Sequence, residues 1–236
     1  MSSTPVKVLL FDVDGTLIRA GGAGRKALNA ACGQLYGKKD ACSELSLAGH
    51  TDLWNFRQAF VKSVGRKPAD QEINSLHEAY LLHLPKYVKR ALKQKTYILP
   101  AGIKGLLKRL SREKSVLLGL GTGNMERGAR IKLEPAGFNT YFLFGGYGCD
   151  AFHRSTLLKR AVRRAEKLAR APIDAADVYV IGDTPLDVAA GKKAGFKTVA
   201  VGTGFASWNA LVASRPDFIA KDFRGINRWL TWFGIS

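Results

Sequence analysis

The feature that most constrains this 236-residue chain is an acidic turn that directly follows a short apolar run near its start. Residues 6–11, VKVLLF, predict a buried strand, and Asp12 and Asp14 come immediately after it. Ligands of an open α/β sheet bind beyond the carboxyl ends of its strands, and Gly15 allows a sharp turn there, so both carboxylates are expected to face one crevice. Carboxylates this close repel each other unless a cation neutralises them, and Mg²⁺ prefers such oxygen ligands.

A second pair of carboxylates follows another predicted strand, far along the chain. Asp183 and Asp187 come after the apolar run 178–182 and lie four residues apart on the turn into a predicted helix, so both can face the same side. An aspartate at such a position also serves as a turn residue or a helix cap. Because both pairs lie at strand ends, we interpret them as one shared site rather than as two unrelated caps.

A third strand end carries groups suited to an anion. Residues 116–124 read VLLGLGTGN, so Thr122 and the Gly123 amide follow a predicted strand and open a turn into a helix. A hydroxyl and free backbone N–H groups in such a turn form a cradle for phosphate. Asn124 stands where a dinucleotide-binding G-x-G-x-x-G segment requires its third glycine, and the chain contains no Walker-type phosphate loop.

Together these segments resemble motifs one, two and four of the haloacid dehalogenase superfamily. The matching residues are Asp12-Val13-Asp14-Gly15-Thr16, Thr122 and the segment 182–187, with LPAG at 99–102 ahead of the helix before motif two. The order and spacing are similar over the whole chain. The resemblance implies a phosphatase-type member, similar to phosphoglycolate phosphatases, because members that cleave carbon–halogen bonds lack the carboxylate of Asp14.

Motif three departs from the pattern of that superfamily. The family usually has a lysine at this point, but residues 148–155 read GCDAFHRS and contain none. Arg154 stands at the predicted start of a helix beside the phosphate site and resembles the arginine found there in some members. Lys159 is the alternative, but it aligns with Arg163 and Lys167 on what we interpret as a solvated helix face. We therefore predict that Arg154 is the phosphate-binding cation.

The resemblance also implies a role for each matching residue. Asp12 attacks phosphorus and forms an aspartyl-phosphate, while Asp14 acts as general acid and then as general base. The phosphoryl oxygens would be held by Thr122, the Gly123 amide and Arg154, and the implied Mg²⁺ ligands are Asp12, the Asp14 backbone carbonyl, Asp183 and, in support, Asp187.

Strands and helices alternate over most of the chain, which predicts an α/β fold with a parallel sheet. We expect a Rossmann-like, three-layer core formed by residues 1–17 and 96–236. The segment 18–95 resembles the helical cap domain that this superfamily inserts after the first strand. Strands are predicted near 6–11, 116–121, 142–145, 178–182, 198–202 and 217–220, and core helices near 101–113, 125–136, 154–171, 186–195, 206–214 and 223–233.

The predicted insertion contains no clear strand. Its helices are expected near 22–36, 51–64, 69–83 and 84–95, with Pro85 marking a break or a kink. The resemblance implies that such a cap closes over the site and selects the substrate, which makes Arg25, His50 and Thr51 candidate substrate contacts. Thr51 or Asp52 is alternatively a simple N-cap of the second helix.

The chain is strongly basic, with 37 Lys and Arg against 19 Asp and Glu and a net charge of +18. Such a balance is typical of nucleic-acid-binding proteins, but the basic residues are spread over predicted helix faces with little aromatic interleaving. We therefore expect a small phosphorylated metabolite as the substrate. The alternatives are a sugar phosphomutase, which uses the same phosphoryl-transfer chemistry, and a nucleic-acid-binding protein or polynucleotide-end phosphatase.

Cysteine usage and hydropathy bear on the compartment. Cys32, Cys42 and Cys149 are odd in number and show no C-x-x-C spacing, which indicates reduced thiols and no zinc site. There is no apolar run of about 18 residues that would predict a membrane span, and the N-terminal segment lacks a signal-peptide layout. We expect a cytoplasmic monomer or small homo-oligomer.

Overall fold

The computed structural model describes residues 6–235, which contain eight strands. They are β1 (Lys7–Phe11), β2 (Arg19–Ala20), β3 (Tyr97–Ile98), β4 (Val116–Gly121), β5 (Phe144–Gly146), β6 (Val178–Gly182), β7 (Lys197–Val201) and β8 (Phe218–Ala220). Six of them form a parallel sheet in the order β5-β4-β1-β6-β7-β8, while β2 and β3 pair with each other. The predicted α/β fold with a parallel sheet is confirmed. Residues 1–5 and 236, at the outer ends of the predicted core segments, lie outside the described residues.

Helices cover both faces of the large sheet because side chains alternate along its strands. Leu9 and Phe11 of β1 pack into one core layer, and Val8 and Leu10 pack into the opposite one. The helices are α1 (Ala23–Tyr36), α2 (Asp52–Val64), α3 (Asp70–Lys93), α4 (Ile103–Leu110), α5 (Glu126–Leu133), α6 (Arg154–Ala169), α7 (Pro185–Ala194), α8 (Trp208–Ala213) and α9 (Ile226–Phe233). Across residues 6–235, none is long and apolar enough to cross a bilayer.

The register of the central strands aligns the predicted motifs at one edge of the sheet. Phe11 of β1 pairs with Leu120 of β4 on one side and with Ile181 of β6 on the other. Because these strands run parallel, the residues that follow each of them leave the sheet at the same edge. In chain order, β4 and β5 lie on one side of β1, and β6 then lies on its other side. This reversal of strand order opens a crevice between the loops that follow β1, β4 and β6. The three motifs therefore converge at this crevice.

Residues 18–95 contain β2, α1, α2 and α3, and this segment is termed the helical insertion. Its ends form a short antiparallel ribbon in which Arg19 pairs with Ile98 and Ala20 with Tyr97. The expectation that this segment has no strand was therefore wrong at β2. Two residues are too few to show a period-two pattern, and their pairing partners follow only after three helices.

The prediction of two separate helices on either side of Pro85, at 69–83 and 84–95, was also wrong, because Asp70–Lys93 forms one continuous helix. Proline lacks an amide hydrogen, so a helix that contains it loses one backbone hydrogen bond. Pro85 itself is exposed, while Leu81, Leu84 and Val88 continue the buried stripe on the other face of α3. Packing along that stripe outweighs the local cost of the proline.

Candidate active site

Three buried aspartates form the centre of the site. Asp12 follows β1, Asp183 follows β6, and Asp187 lies in the first turn of α7. One carboxylate oxygen from each lies within 4.8 Å of the other two, and this group is termed the acidic cluster. Burial, together with the neighbouring charge of Asp187, raises the pKa of Asp12 and the pKa of Asp183 well above their ordinary values. The cluster therefore suits a divalent cation, because such an ion binds hard oxygen ligands and offsets their mutual repulsion.

Two donors and two glycines hold Asp183 in this cluster. Thr16 Oγ1 donates to Asp183 Oδ1 over 3.2 Å, and the Phe205 amide donates to Oδ2 over 2.9 Å. Gly15 has a φ of +88°, and a Cβ there would lie 2.4 Å from Asp183 Oδ2. A Cβ on Gly204 would lie 1.8 Å from the same oxygen. A side chain at either position would therefore displace the carboxylate.

Asp187 is both a helix cap and a member of the acidic cluster. Its Oδ2 accepts hydrogen bonds from the Thr184 amide over 3.0 Å and from the Thr184 hydroxyl over 2.6 Å, which closes the first turn of α7. Its Oδ1 accepts a hydrogen bond from Arg154. The two interpretations of this aspartate are thus compatible, because capping fixes the carboxylate in the orientation that faces the cluster.

Arg154 supplies the positive charge that faces the acidic cluster. It is the first residue of α6, and its Nη2 pairs with Asp187 and lies 3.7 Å from Asp12 Oδ1. Its Nη1 donates to the Gly49 carbonyl over 3.1 Å, so the guanidinium also contacts the helical insertion. Lys159 lies exposed on the same helix. The structure therefore brings Arg154, and not Lys159, to the cluster.

The turn after β4 lies directly against the helical insertion. Thr122 is fully buried, and its hydroxyl accepts a hydrogen bond from the Asn124 amide over 3.2 Å. The Gly123 carbonyl accepts one from the Asp52 amide over 2.7 Å. A Cβ on Gly123 would lie 2.4 Å from the carbonyl oxygen of His50. The absence of a side chain at Gly123 is what lets the insertion approach the predicted phosphate cradle so closely.

The carboxylate of Asp14 lies outside the acidic cluster and binds a buried lysine. Asp14 Oδ2 accepts hydrogen bonds from Lys132 Nζ over 2.5 Å and from Asn124 Nδ2 over 3.0 Å. Lys132 lies in α5, is only 4% exposed, and also donates to Asn124 Oδ1 over 2.6 Å. Burial is the largest influence and disfavours the charged amine, but the neighbouring Asp14, Tyr80 and Asp52 together outweigh it and raise the pKa of Lys132 above its ordinary value. This side-chain arrangement leaves the backbone carbonyl as the Asp14 group available for the predicted metal site.

Sequence reasoning missed Lys132, although α5 carried a signal for it. Met125, Ala129 and Leu133 are buried, and Lys132 lies on the same face of this helix. A lysine at a buried helical position requires a partner for its charge. Its partner, Asp14, is 118 residues away in the chain, so no local pattern identifies the pair.

Two of the three predicted substrate contacts, His50 and Thr51, lie in the loop that leads into α2. Thr51 Oγ1 accepts a hydrogen bond from the Trp54 amide over 3.3 Å, so this hydroxyl is used as the helix N-cap. The ring of His50 stacks on Trp54, with 3.9 Å between their centroids. Burial and the positive charge of Arg154 lower the pKa of His50, which favours its neutral form. The loop thus presents an imidazole that lines the same cavity as Arg154 and a threonine that stabilises the helix.

Arg25 lies in α1 and holds the loop that follows this helix. Its guanidinium donates to the carbonyls of Cys42 and Leu45, the latter over 2.7 Å. It also lines a cavity of about 500 Å³ that lies between the helical insertion and the edge of the sheet. Asp12 and Asp14 line the same cavity, together with the cations Arg19, Arg25, Lys95, Lys132 and Arg154. A space of this size and charge suits a small anionic molecule.

Residues 9–201 match the family model for haloacid dehalogenase-like hydrolases. The chain belongs to the haloacid dehalogenase-like hydrolase family. The matched range contains the whole acidic cluster together with Thr122, Arg154 and Lys132. A comparison with curated protein sequences finds no match.

Solved structures with the same fold align with almost the whole of this haloacid dehalogenase-like chain. A hydrolase from Pseudomonas syringae is 20% identical with a TM-score of 0.68, and the alignment covers 98% of this chain and 100% of that one. A predicted phosphoglycolate phosphatase from Haemophilus somnus 129pt is 18% identical with a TM-score of 0.68, covering 97% and 99%. A protein proposed to be a β-phosphoglucomutase, from Bacteroides vulgatus, is 18% identical with a TM-score of 0.66, covering 99% and 90%. At these identities the likeness concerns the fold.

Proposed function

We propose that this protein is a Mg²⁺-dependent phosphatase that hydrolyses a small phosphomonoester through an aspartyl-phosphate on Asp12. The observation that carries the proposal is the position of Asp12, which belongs to the acidic cluster, faces Arg154 and lines the cavity. A carboxylate that attacks a phosphate must overcome charge repulsion. Asp12 belongs to a cluster that suits a divalent cation, and it also lies beside a guanidinium. Membership of a hydrolase family supports the same conclusion.

The chain's own residues account for both halves of the reaction. Asp12 attacks phosphorus while Asp14 gives a proton to the leaving oxygen, so the ester P–O bond breaks as the bond to Asp12 forms. Asp14 then takes a proton from water, whose oxygen attacks phosphorus and releases Asp12 and inorganic phosphate. Arg154, the Thr122 hydroxyl and the Gly123 amide hold the phosphoryl oxygens during both steps.

Mg²⁺ would be held by the three carboxylates of the acidic cluster and by the backbone carbonyl of Asp14. When bound, the ion supplies positive charge that offsets the repulsion between the attacking carboxylate and the phosphate. Thr16 and the Phe205 amide orient Asp183 for this purpose. Arg154 balances part of the negative charge of Asp12 and Asp187.

The helical insertion is proposed to be the cap domain of this enzyme, on a core made of residues 1–17 and 96–236. Its contacts with the core support this assignment, since Gly49 binds Arg154 and Asp52 binds both Gly123 and the Met125 amide. A cavity of about 500 Å³ beneath it favours a small metabolite over a macromolecule. His50 and Arg25 line this cavity and are the proposed substrate contacts from the insertion. Free cysteines at Cys32, Cys42 and Cys149 support a reducing compartment such as the cytoplasm.

A panel of phosphorylated metabolites assayed with Mg²⁺ for phosphate release tests the proposal. We expect turnover of at least one small phosphomonoester, loss of that turnover with EDTA, and recovery when Mg²⁺ is restored. Activity that EDTA leaves unchanged would overturn the metal assignment. Product analysis separates the alternative that the structural likeness to the Bacteroides vulgatus protein suggests, because a sugar phosphomutase would return an isomeric sugar phosphate without release of phosphate.

A further inference from the structure

Lys132 is a buried cation that none of the motifs described above accounts for. It lies in α5 rather than on the helix that carries Arg154, and its Nζ lies 2.5 Å from Asp14 Oδ2. Asn124 completes the group, because its side-chain amide donates to Asp14 Oδ2 over 3.0 Å and its carbonyl oxygen accepts from Lys132 over 2.6 Å. Each of the three side chains thus binds the other two.

We infer that Lys132 is a positioning residue, which fixes Asp14 Oδ2 so that Oδ1 faces the cavity and exchanges the proton with the substrate. The inference rests on the proposed function, in which Asp14 is the general acid and base. Both donors bind the same oxygen, Oδ2. A carboxylate held at one oxygen by two donors cannot rotate freely, so the other oxygen keeps one direction. Proton transfer requires that direction to be right, because the donor must lie within hydrogen-bond reach of the leaving oxygen.

The surroundings of Lys132 keep this arrangement rigid. The Lys132 backbone carbonyl accepts a hydrogen bond from the Tyr97 hydroxyl over 2.8 Å, which anchors α5 to the ribbon at the base of the insertion. The insertion also covers the ammonium group, because a Cβ on Gly24 would lie 3.3 Å from Lys132 Nζ and 3.6 Å from the Tyr80 hydroxyl. Hydrogen bonds shielded from water in this way are stronger than exposed ones. The lysine therefore holds Asp14 firmly in a site that the insertion covers.

A purely structural ion pair would also explain a buried lysine, and the two explanations differ in one measurable property. If Lys132 acts through the proton of Asp14, its removal should lower kcat/KM most for esters whose leaving group must be protonated. If it only supports the fold, kcat/KM should fall by the same factor for all esters. Hydrolysis of glycerol 2-phosphate depends most on that proton, hydrolysis of phenyl phosphate depends on it less, and hydrolysis of p-nitrophenyl phosphate hardly depends on it.

The test compares kcat/KM for these three esters in the wild-type protein and in Lys132→Met. This parameter reports the steps from free enzyme and substrate through the first irreversible step, in which Asp14 acts as the acid. We expect a loss of about a hundredfold with glycerol 2-phosphate, an intermediate loss with phenyl phosphate, and a change within about fivefold with p-nitrophenyl phosphate. Lys132→Gln, which keeps a polar donor, should show the same order of losses with smaller values and serves if the methionine variant is poorly folded.

Two further variants make the result specific to Asp14. Tyr97→Phe removes a hydrogen bond to the Lys132 backbone but leaves the ammonium in place, so its losses should be small and equal across the three esters. In an Asp14→Asn background, Lys132→Met should cause no further loss beyond about twofold with phenyl phosphate. Equal losses on all three esters, or full additivity with Asp14→Asn, would overturn the inference while leaving the proposed phosphatase intact. A wild-type protein that releases phosphate from no phosphomonoester would overturn both.

Discussion

Replacing Arg154 with alanine removes the guanidinium that faces the acidic cluster. The side chain of Arg154 is 11% exposed and that of Asp187 is 2% exposed, so the pair is buried. Removing one partner of a buried ion pair costs about 3–5 kcal/mol, because the other charge stays buried and uncompensated. For a chain of this size, 3 kcal/mol corresponds to a fall in Tm of about 6–12 °C. Bound Mg²⁺ should reduce this loss, since the ion takes over the compensation of the carboxylates.

The same variant should lose catalysis even where the fold survives. A cation that contacts the transferring phosphoryl group in a buried site contributes about as much as one oxyanion donor, roughly 3 kcal/mol. Arg154→Ala should therefore lower kcat by at least about a hundredfold, measured as phosphate release with saturating Mg²⁺. Arg154→Lys should recover part of the loss, because it restores a point charge without the planar fork of arginine.

Lys159→Ala is the matched control, since Lys159 lies exposed on the same helix. A solvated lysine contributes little, so kcat should stay within about threefold of wild type and Tm should be unchanged. Thermal unfolding is followed in EDTA and in Mg²⁺ for all three variants. The reasoning is refuted if Arg154→Ala stays active while Lys159→Ala does not, or if Mg²⁺ fails to reduce the difference in Tm between Arg154→Ala and wild type.

Three further predictions concern the nucleophile, the metal site and the basic surface. Asp12→Asn should abolish turnover and also the beryllofluoride adduct seen by fluorine NMR, and an adduct as abundant as in wild type would exclude Asp12 as the nucleophile. Gly15→Ala should weaken Mg²⁺ binding, measured by calorimetry, at least about tenfold, because the added Cβ would meet Asp183. Gly37→Ala is its control, since Gly37 also has a positive φ, +74°, but a Cβ there would have no atom within 4 Å. It should therefore lower the stability and leave Mg²⁺ binding unchanged. Raising the salt concentration should lower kcat/KM chiefly for multiply charged substrates, and duplex DNA should bind weakly; a sub-micromolar affinity at physiological salt would favour the nucleic-acid alternative.

The α/β class and the edge at which the motifs meet could be predicted from the sequence. Short apolar runs indicated strands, and these runs are followed by Asp12, Thr122 and Asp183. The runs alternate with amphipathic stretches, which indicated that the strands are parallel. Parallel strands leave their ends at one edge, so residues far apart in the chain were expected to meet. The register of Phe11 with Leu120 and Ile181 has this consequence.

Where local signals compete with packing, the sequence was a poor guide. Pro85 is a strong local signal for a break, yet α3 continues through it because its buried stripe packs along the whole helix. The pairing of β2 with β3 was missed for the opposite reason, since two residues carry too little pattern to be recognised. In both cases the deciding contacts come from residues that are distant in the chain.

The same division between local sequence signals and tertiary packing applies to the candidate active site. The residue types at the strand ends determined that carboxylates, a hydroxyl and an arginine would be available for phosphate and metal chemistry. Only the tertiary structure decided that the Asp14 carboxylate binds Lys132 outside the acidic cluster, that Arg25 binds backbone carbonyls while it lines the cavity, and that Thr51 caps α2. The periodicity of apolar residues indicates which face of a helix or strand is buried, because this pattern involves residues only a few positions apart. The partner of a buried charge depends on how elements pack against one another, and packing is a property of the folded chain as a whole.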